Sequence, residues 1–224
     1  MPSRKKIHTT VSDRLISRSN KKFSQARRQI AAEAARIMAT QAQCNFRIAK
    51  QKAAQRLGIR SSLALPSNVE IEDALRAYQG FYGGQQHIHQ VQRLREIALR
   101  VMRSLDSFSP RLVGPVLEGT ADKHARVSLH VFNDPPDAVA MHLLDKGLTF
   151  RNEQRKIRWH DGSYRQVPLL VTDAEGVTVE LTLFSHLDLR QAPPNPVDGR
   201  PQKRAPLAEV EDLLSRPQRD STAT

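Results

Sequence analysis

Three polar side chains alternate with apolar ones near the middle of the chain. In VGPVLEGTADKHARVSLHVF, residues 113–132, Arg126, Ser128 and His130 interleave with Val127, Leu129 and Val131. Successive side chains of a strand point to opposite faces, so the polar three share one face and the apolar three the other. An arginine beside a hydroxyl suits a phosphate, because the guanidinium combines fixed positive charge with a planar fork of donors. Gly114-Pro115 reads as a turn before that strand, and Val179-Glu180-Leu181 places one acid between apolar residues in the later segment VTVELTLF. Glu180 has two readings: a member of a polar site, or a solvent-facing strand residue that alternation alone produces.

Other candidates carry less. His87 and His89 are two apart on a helical stretch and point away from each other, which is poor metal-ligand spacing. Asp122 and Asp134 flank the strand and read as loop polarity and helix capping rather than ligands. His130 reads as a satisfied strand histidine. Arg155, Lys156 and Arg158 beside Trp159 could touch a phosphate backbone, against the blander reading of a solvated hairpin face. There is no nucleophile elbow, Walker loop or dinucleotide fingerprint. One cysteine, Cys44, cannot make an internal disulfide or a cysteine metal cluster.

The elements that must position these groups fall into two parts. Residues 1–20 are polar and expected to be loose. Lys21 to Leu57 contains no Pro or Gly, is rich in alanine, and precedes Gly58, which predicts one long helix. Phe23, Ile30, Ile37 and Cys44 recur every seven residues as a narrow apolar seam, open to later helices, a partner helix or a second copy. Ser67 and Glu70 form a capping box for a second helix, ending near Gly80, and a third fits 86–106. After Pro110 the pattern turns to strands at RLVGPVL and RVSLHVF, a helix from the 133–134 cap to Gly147, and a hairpin turning at Asp161-Gly162. VTVELTLF follows Glu175-Gly176, then a Pro-rich extended tail over 191–224, with a helical turn or two at LAEVEDLLS. The expected class is α+β: a helical region over 21–106, then an α+β domain over 108–190.

Charge separates the same parts. The net +12 is concentrated in residues 1–60, which hold 15 Lys/Arg against Asp13 and Glu33; residues 61–224 carry a net of −1. A polyanion partner is therefore expected at the N-terminal quarter, with Arg4, Lys5, Lys6, Lys21, Lys22, Arg27 and Arg28 as candidate nucleic-acid contacts. Aromatics are only 5%, so stacking platforms for bases are scarce. No membrane span or secretory signal is visible, which predicts a cytoplasmic protein.

The strand–Gly turn–strand–helix order, with the later triplet around Glu180, resembles the nucleotidyltransferase superfamily, the DNA polymerase β-like and kanamycin nucleotidyltransferase-like fold, over roughly residues 108–190. The resemblance implies a mixed sheet in which a Gly-Ser turn holds nucleotide phosphates. It also implies an Asp-x-Asp pair and a third acid binding two magnesium ions. On this chain the turn serine is Pro115, the two aspartates are Arg126 and Ser128, and the third acid is Glu180. Two-metal transfer needs carboxylates that neutralise both cations, and an arginine in a ligand position repels them. The reading is a bacterial-type nucleotidyltransferase-like protein with a degenerate active site and no expected metal or cofactor. It would act as a nucleotide- or nucleic-acid-binding or regulatory module, with Gly114, Pro115, Arg126, Ser128 and Glu180 as the nucleotide-binding set. One alternative is an active nucleotidyltransferase with an unusual magnesium ligand set; another is a helical protein binding nucleic acid through residues 1–60.

Overall fold

The computed structural model describes residues 11–215 apart from Ala42, Cys44, Lys123 and Pro136, and of 11–20 only the backbone. The chain divides into two compact units, Met1–Leu75 and Arg76–Thr224.

In the first unit α1 runs Val11–Thr40 and α2 Phe46–Arg56. The expected single helix over 21–57 is thus two. The break is set by Asn45, whose Oδ1 accepts hydrogen bonds from the backbone N–H of Arg47 at 2.9 Å and Ile48 at 3.2 Å. An asparagine satisfying the orphan amides of a new helix start is a stronger local signal than the absence of Pro and Gly. The stretch expected to be loose is helical from Val11 onward. Residues 1–10, with Arg4, Lys5 and Lys6, lie outside the described residues.

The seam finds its cover inside the unit. Ile30, Ala34 and Ile37 are fully buried and pack with Ala49, Ala53 and Ile71. The small alanines of α2 let it approach α1 closely, so Ile30 and Ile37 are not available to a partner helix or a second copy. Phe23 is half-buried, and Cys44 lies outside the described residues. Arg36 and Arg56 hold Glu33 from either side. The hydrogen bond from Arg36 leads in bringing its carboxyl down to about 2. α3, Asn68–Tyr78, opens with the expected capping box: Ser67 Oγ accepts from Glu70 N–H at 3.2 Å, and Ser67 N–H donates to Glu70 Oε2 at 2.7 Å.

The second unit is built on a five-stranded sheet. α4 spans Gly84–Ser104, followed by β1 Arg111–Val113, the single turn α5 Pro115–Glu118 and β2 Val127–Phe132. Then come α6 Asp137–Asp145, the hairpin β3 Phe150–Arg158 and β4 Tyr164–Ala174, β5 Val177–Phe184, and α7 Leu207–Ser215. The strand order is β1-β2-β5-β4-β3, with β2 and β5 parallel and the other neighbours antiparallel. The sheet is mixed and the class is α+β. A parallel β2–β5 pair needs a crossover, and α6 with the β3–β4 hairpin fills it.

One face of the sheet carries the core. Val127, Leu129 and Val131 of β2 and Val179 and Leu181 of β5 are fully buried with Leu94, Ile97 and Met102 of α4, Val139 of α6 and Val210 of α7. Burying one such leucine contributes roughly 1.5–3 kcal/mol. α4 therefore belongs with the sheet rather than with the preceding helices. The tail is less extended than its prolines suggest. Ala205 exchanges two backbone hydrogen bonds of 2.9 Å with Leu112 of β1, and α7 follows.

Candidate anion-binding site

The opposite face holds the alternating polar residues. Register sets Ser128 against Glu180 and His130 against Thr182 across the parallel pair. Glu180 is only 6% exposed, and three side chains converge on it. Arg126 Nη1 donates to Oε1 at 2.7 Å, Arg155 Nη2 donates to Oε2, and Ser128 Oγ lies 3.5 Å from Oε2. Arg155 comes from β3 and reaches across β4, with its Nη1 3.5 Å from Thr182 Oγ1. Burial is the largest single influence on the Glu180 carboxyl and pushes it up. The hydrogen bonds of Arg155 and Arg126, with their charges, together outweigh it and hold the group below the usual carboxylate range. The carboxylate is therefore ionised at neutral pH, and the trio carries one net positive charge.

Farther along the same face the chemistry changes from paired to buried. His130 is 5% exposed, and burial, followed by the charges of Arg204 and Arg155, brings its imidazole down to about 3. A neutral ring leaves Nδ1 as an acceptor, and Arg204 Nε donates to it at 3.0 Å. Arg204 also donates from Nη1 to the Asp188 carbonyl at 2.6 Å. Its guanidinium lies over the rings of Phe132 at 4.8 Å and Phe184 at 5.1 Å. Phe132, Trp159, Val167 and Phe184 form a small second core here. The tail helps cover it, through Arg204 and through His160, whose Nε2 is 2.6 Å from the Ala192 carbonyl.

The residues singled out in the sequence separate cleanly. Arg126, Ser128 and Glu180 come together. Gly114, at φ 72°, starts α5, and the pairing of Val113 with Ser128 sets that turn one register step from the Arg126 end of β2. Pro115 has no N–H to offer a phosphate. The carbonyls after it are taken: Arg95, buried in α4, donates to those of Val116 at 3.1 Å and Leu117 at 3.0 Å. Asp122 Oδ1 accepts from His124 N–H, and Asp134 Oδ2 accepts from His186 N–H instead of capping α6. His87 Nε2 is 2.9 Å from the Gly119 carbonyl. The solvated-hairpin reading fails for Arg155, which is bound into the site, and for Trp159, which is 5% exposed under Arg165. It holds for Lys156, which is exposed over the Tyr164 ring. Arg155 carried a usable signal, since it alternates with the outward residues of β3; Arg204 carried none, as its partner lies 74 residues away.

These donors do not fit a magnesium pair. Both Glu180 oxygens already accept guanidinium hydrogens, and a dication placed there would sit against two fixed positive charges. Among the described residues no group of three His, Cys, Asp or Glu side chains is arranged to hold a metal ion. What the arrangement offers instead is a pair of arginines set at a fixed separation by one carboxylate. Arg126 is 59% exposed and Arg155 35% exposed along their side chains.

No family model matches the chain, and no curated protein matches it. Among solved structures, one titled for the structural basis of activity of a cytoplasmic RNA terminal U-transferase is similar at a TM-score of 0.29 and 16% identity. The likeness covers 45% of this chain and 29% of that one, so this chain matches under a third of that protein's length. At that score the likeness carries no argument. No helix among the described residues is long and apolar enough to cross a membrane.

Proposed function

We propose that this protein is a nucleotidyltransferase-like module that binds a phosphate-bearing ligand, a nucleotide or nucleic acid, through arginine and without metal-dependent nucleotidyl transfer. The observation that carries this reading is the capture of Glu180 by Arg126 and Arg155. Where the nucleotidyltransferase resemblance calls for an acidic cage, this chain has one acid neutralised by two bases. An incoming phosphate competes with Glu180 for the guanidiniums, and each charge-assisted contact it gains contributes on the order of 1.5–3 kcal/mol. Binding is correspondingly weak for a mononucleotide. Lys21, Lys22, Arg27 and Arg28 are exposed on α1 and supply a separate, sequence-independent attraction for a polyanion.

The test is incubation with labelled nucleoside triphosphates and a panel of RNA, protein and aminoglycoside acceptors, with and without magnesium. No label transfer is expected. Magnesium-dependent transfer that disappears in Glu180→Ala would overturn the reading in favour of an active enzyme with an unusual ligand set.

A further inference from the structure

The chain has few aromatic residues, and its most exposed pair sits on one turn. Gln79–Gly83 form a π-helical turn ahead of α4. Phe81 is 82% exposed, the largest value among the exposed large hydrophobic side chains of the described residues, and Tyr82 is 70% exposed. The Tyr82 ring centroid is 4.7 Å from that of half-buried Tyr78 and 4.9 Å from that of Phe81, whose plane stands at 69° to it. Leaving two rings in water forgoes the burial that aromatics ordinarily gain, which points to a use for them.

The turn is a formed shape. Gln79 is buried and donates from Nε2 to the Thr120 carbonyl at 2.9 Å, and the His87 ring is held on the Gly119 carbonyl. A Cβ on Gly83 would meet His87 Cβ at 2.7 Å, and Gly84 sits at φ 46°, so both positions need glycine. The rings are thus presented on an anchored support, which lowers the entropy lost when something stacks on them.

The surroundings favour a polyanion. Residues 77–95 contain no Asp or Glu, while Gln85, Gln86, His89 and Arg93 are exposed. The acid of Glu118 stands opposite Arg76 at 3.6 Å. Two separate ring faces at a steep angle, followed along α4 by exposed amides and, more than two turns on, by Arg93, fit splayed flat rings better than a continuous apolar surface. We infer that Phe81 and Tyr82 are stacking contacts for unpaired bases of a single-stranded nucleic acid. The backbone phosphates would meet an acid-poor stretch in which Glu118 stands against Arg76, and any base could stack because every base has a π-face. The inference does not rest on the Arg126–Glu180–Arg155 site, and its failure would leave that reading intact.

The experiment compares binding of a labelled oligouridylate and an RNA duplex of equal length to the full chain and to a Phe81→Ala/Tyr82→Ala variant, over a salt series. The variant should lose at least about fivefold in single-strand affinity per ring. Its duplex affinity should be unchanged, as should the slope of log affinity against log salt, because no phosphate contact is removed. Phe81→Trp and Tyr82→Trp should retain single-strand binding. Four results would overturn the inference: equal single-strand affinity in the double alanine variant, a parallel loss on the duplex, no single-strand binding by the unmodified chain, or loss in the variant only of binding to anionic lipid vesicles.

Discussion

The two faces of the sheet are made by the same strands and obey different rules. On one, Val127, Leu129 and Val131 of β2 are fully buried against α4, α6 and α7. On the other, Arg126 just before that strand and Ser128 on it meet Glu180, which also accepts from Arg155, and His130 accepts from Arg204. The apolar face is held by burial, which tolerates any side chain of similar size and shape. The polar face is held by pairings in which each guanidinium has a specific acceptor, so removing one member leaves another unsatisfied. The larger apolar core lies on the first face, and the paired charges lie on the second beside the small Phe132–Trp159–Val167–Phe184 core.

The sharpest way to break that division is Leu129→Ala. A fully buried leucine reduced to alanine should cost about 2–5 kcal/mol, read as a fall in the urea midpoint with unchanged cooperativity. A loss under 1 kcal/mol would mean the helical side of the sheet is not the stabilising one.

His130 is the exception on the polar face, and acid should reveal it. Its folded-state value of about 3 lies below the ordinary 6.5, so the unfolded chain binds a proton that the folded chain refuses. The stability this represents is present above about pH 6.5 and is lost as pH falls from there toward 3, by up to about 1.4 kcal/mol per unit. Denaturation midpoints at pH 7, 6 and 5 should fall steadily, and His130→Gln should flatten the trend. An imidazole resonance of His130 titrating near 6.5 in the folded protein would contradict the buried, neutral ring.

Glu180 should matter less to stability and more to binding. Its carboxyl is held below the ordinary range, so its ion pairs contribute above about pH 4.3 and are lost only as pH falls through the lower folded value. Arg126 is more than half exposed, and Arg155 about a third, so water screens both pairs. Glu180→Gln should cost only about 1–2 kcal/mol near neutral pH. The same change removes the negative charge that Glu180 sets against both guanidiniums, so affinity for inorganic pyrophosphate should rise. A fall would show that Glu180 positions the arginines more than it competes for them.

The smallest expected effect on folding lies in the first unit. Replacing Lys21, Lys22 and Arg28 by Gln should change stability by no more than about 0.5 kcal/mol, since all three are exposed. It should make the salt dependence of RNA binding shallower by roughly 0.7–0.9 per lost phosphate contact.

The sequence made the strands legible because period-two alternation is local. Arg126, Ser128 and His130 announce their face without any knowledge of the partner strand, and Asp161-Gly162 announces its hairpin. The α+β class followed from those signals and from the helical periodicity of 86–106. The centre of the site was half legible. Glu180 could be named, but whether it faced a metal, solvent or a base depended on Arg155, which arrives from two strands away. Arg204 was invisible for the same reason, since nothing near it in sequence signals His130. The seam of α1 was visible and its cover was not, because alanines on α2 make a good partner surface without looking like one. The break before α2 rested on Asn45, a cap signal outweighed in the sequence by a long stretch without glycine or proline.

The central claim is that the polar face holds phosphate through arginine and not through a metal. Calorimetric titration of the full chain with ATP, with and without magnesium, tests it most directly. Weak binding is expected, unchanged or lowered by magnesium, which draws the triphosphate away from the guanidiniums. Arg126→Ala, which should fold normally, is expected to weaken binding by roughly ten- to a hundredfold. Tighter binding on adding magnesium, or indifference to Arg126→Ala in the folded variant, would contradict the account.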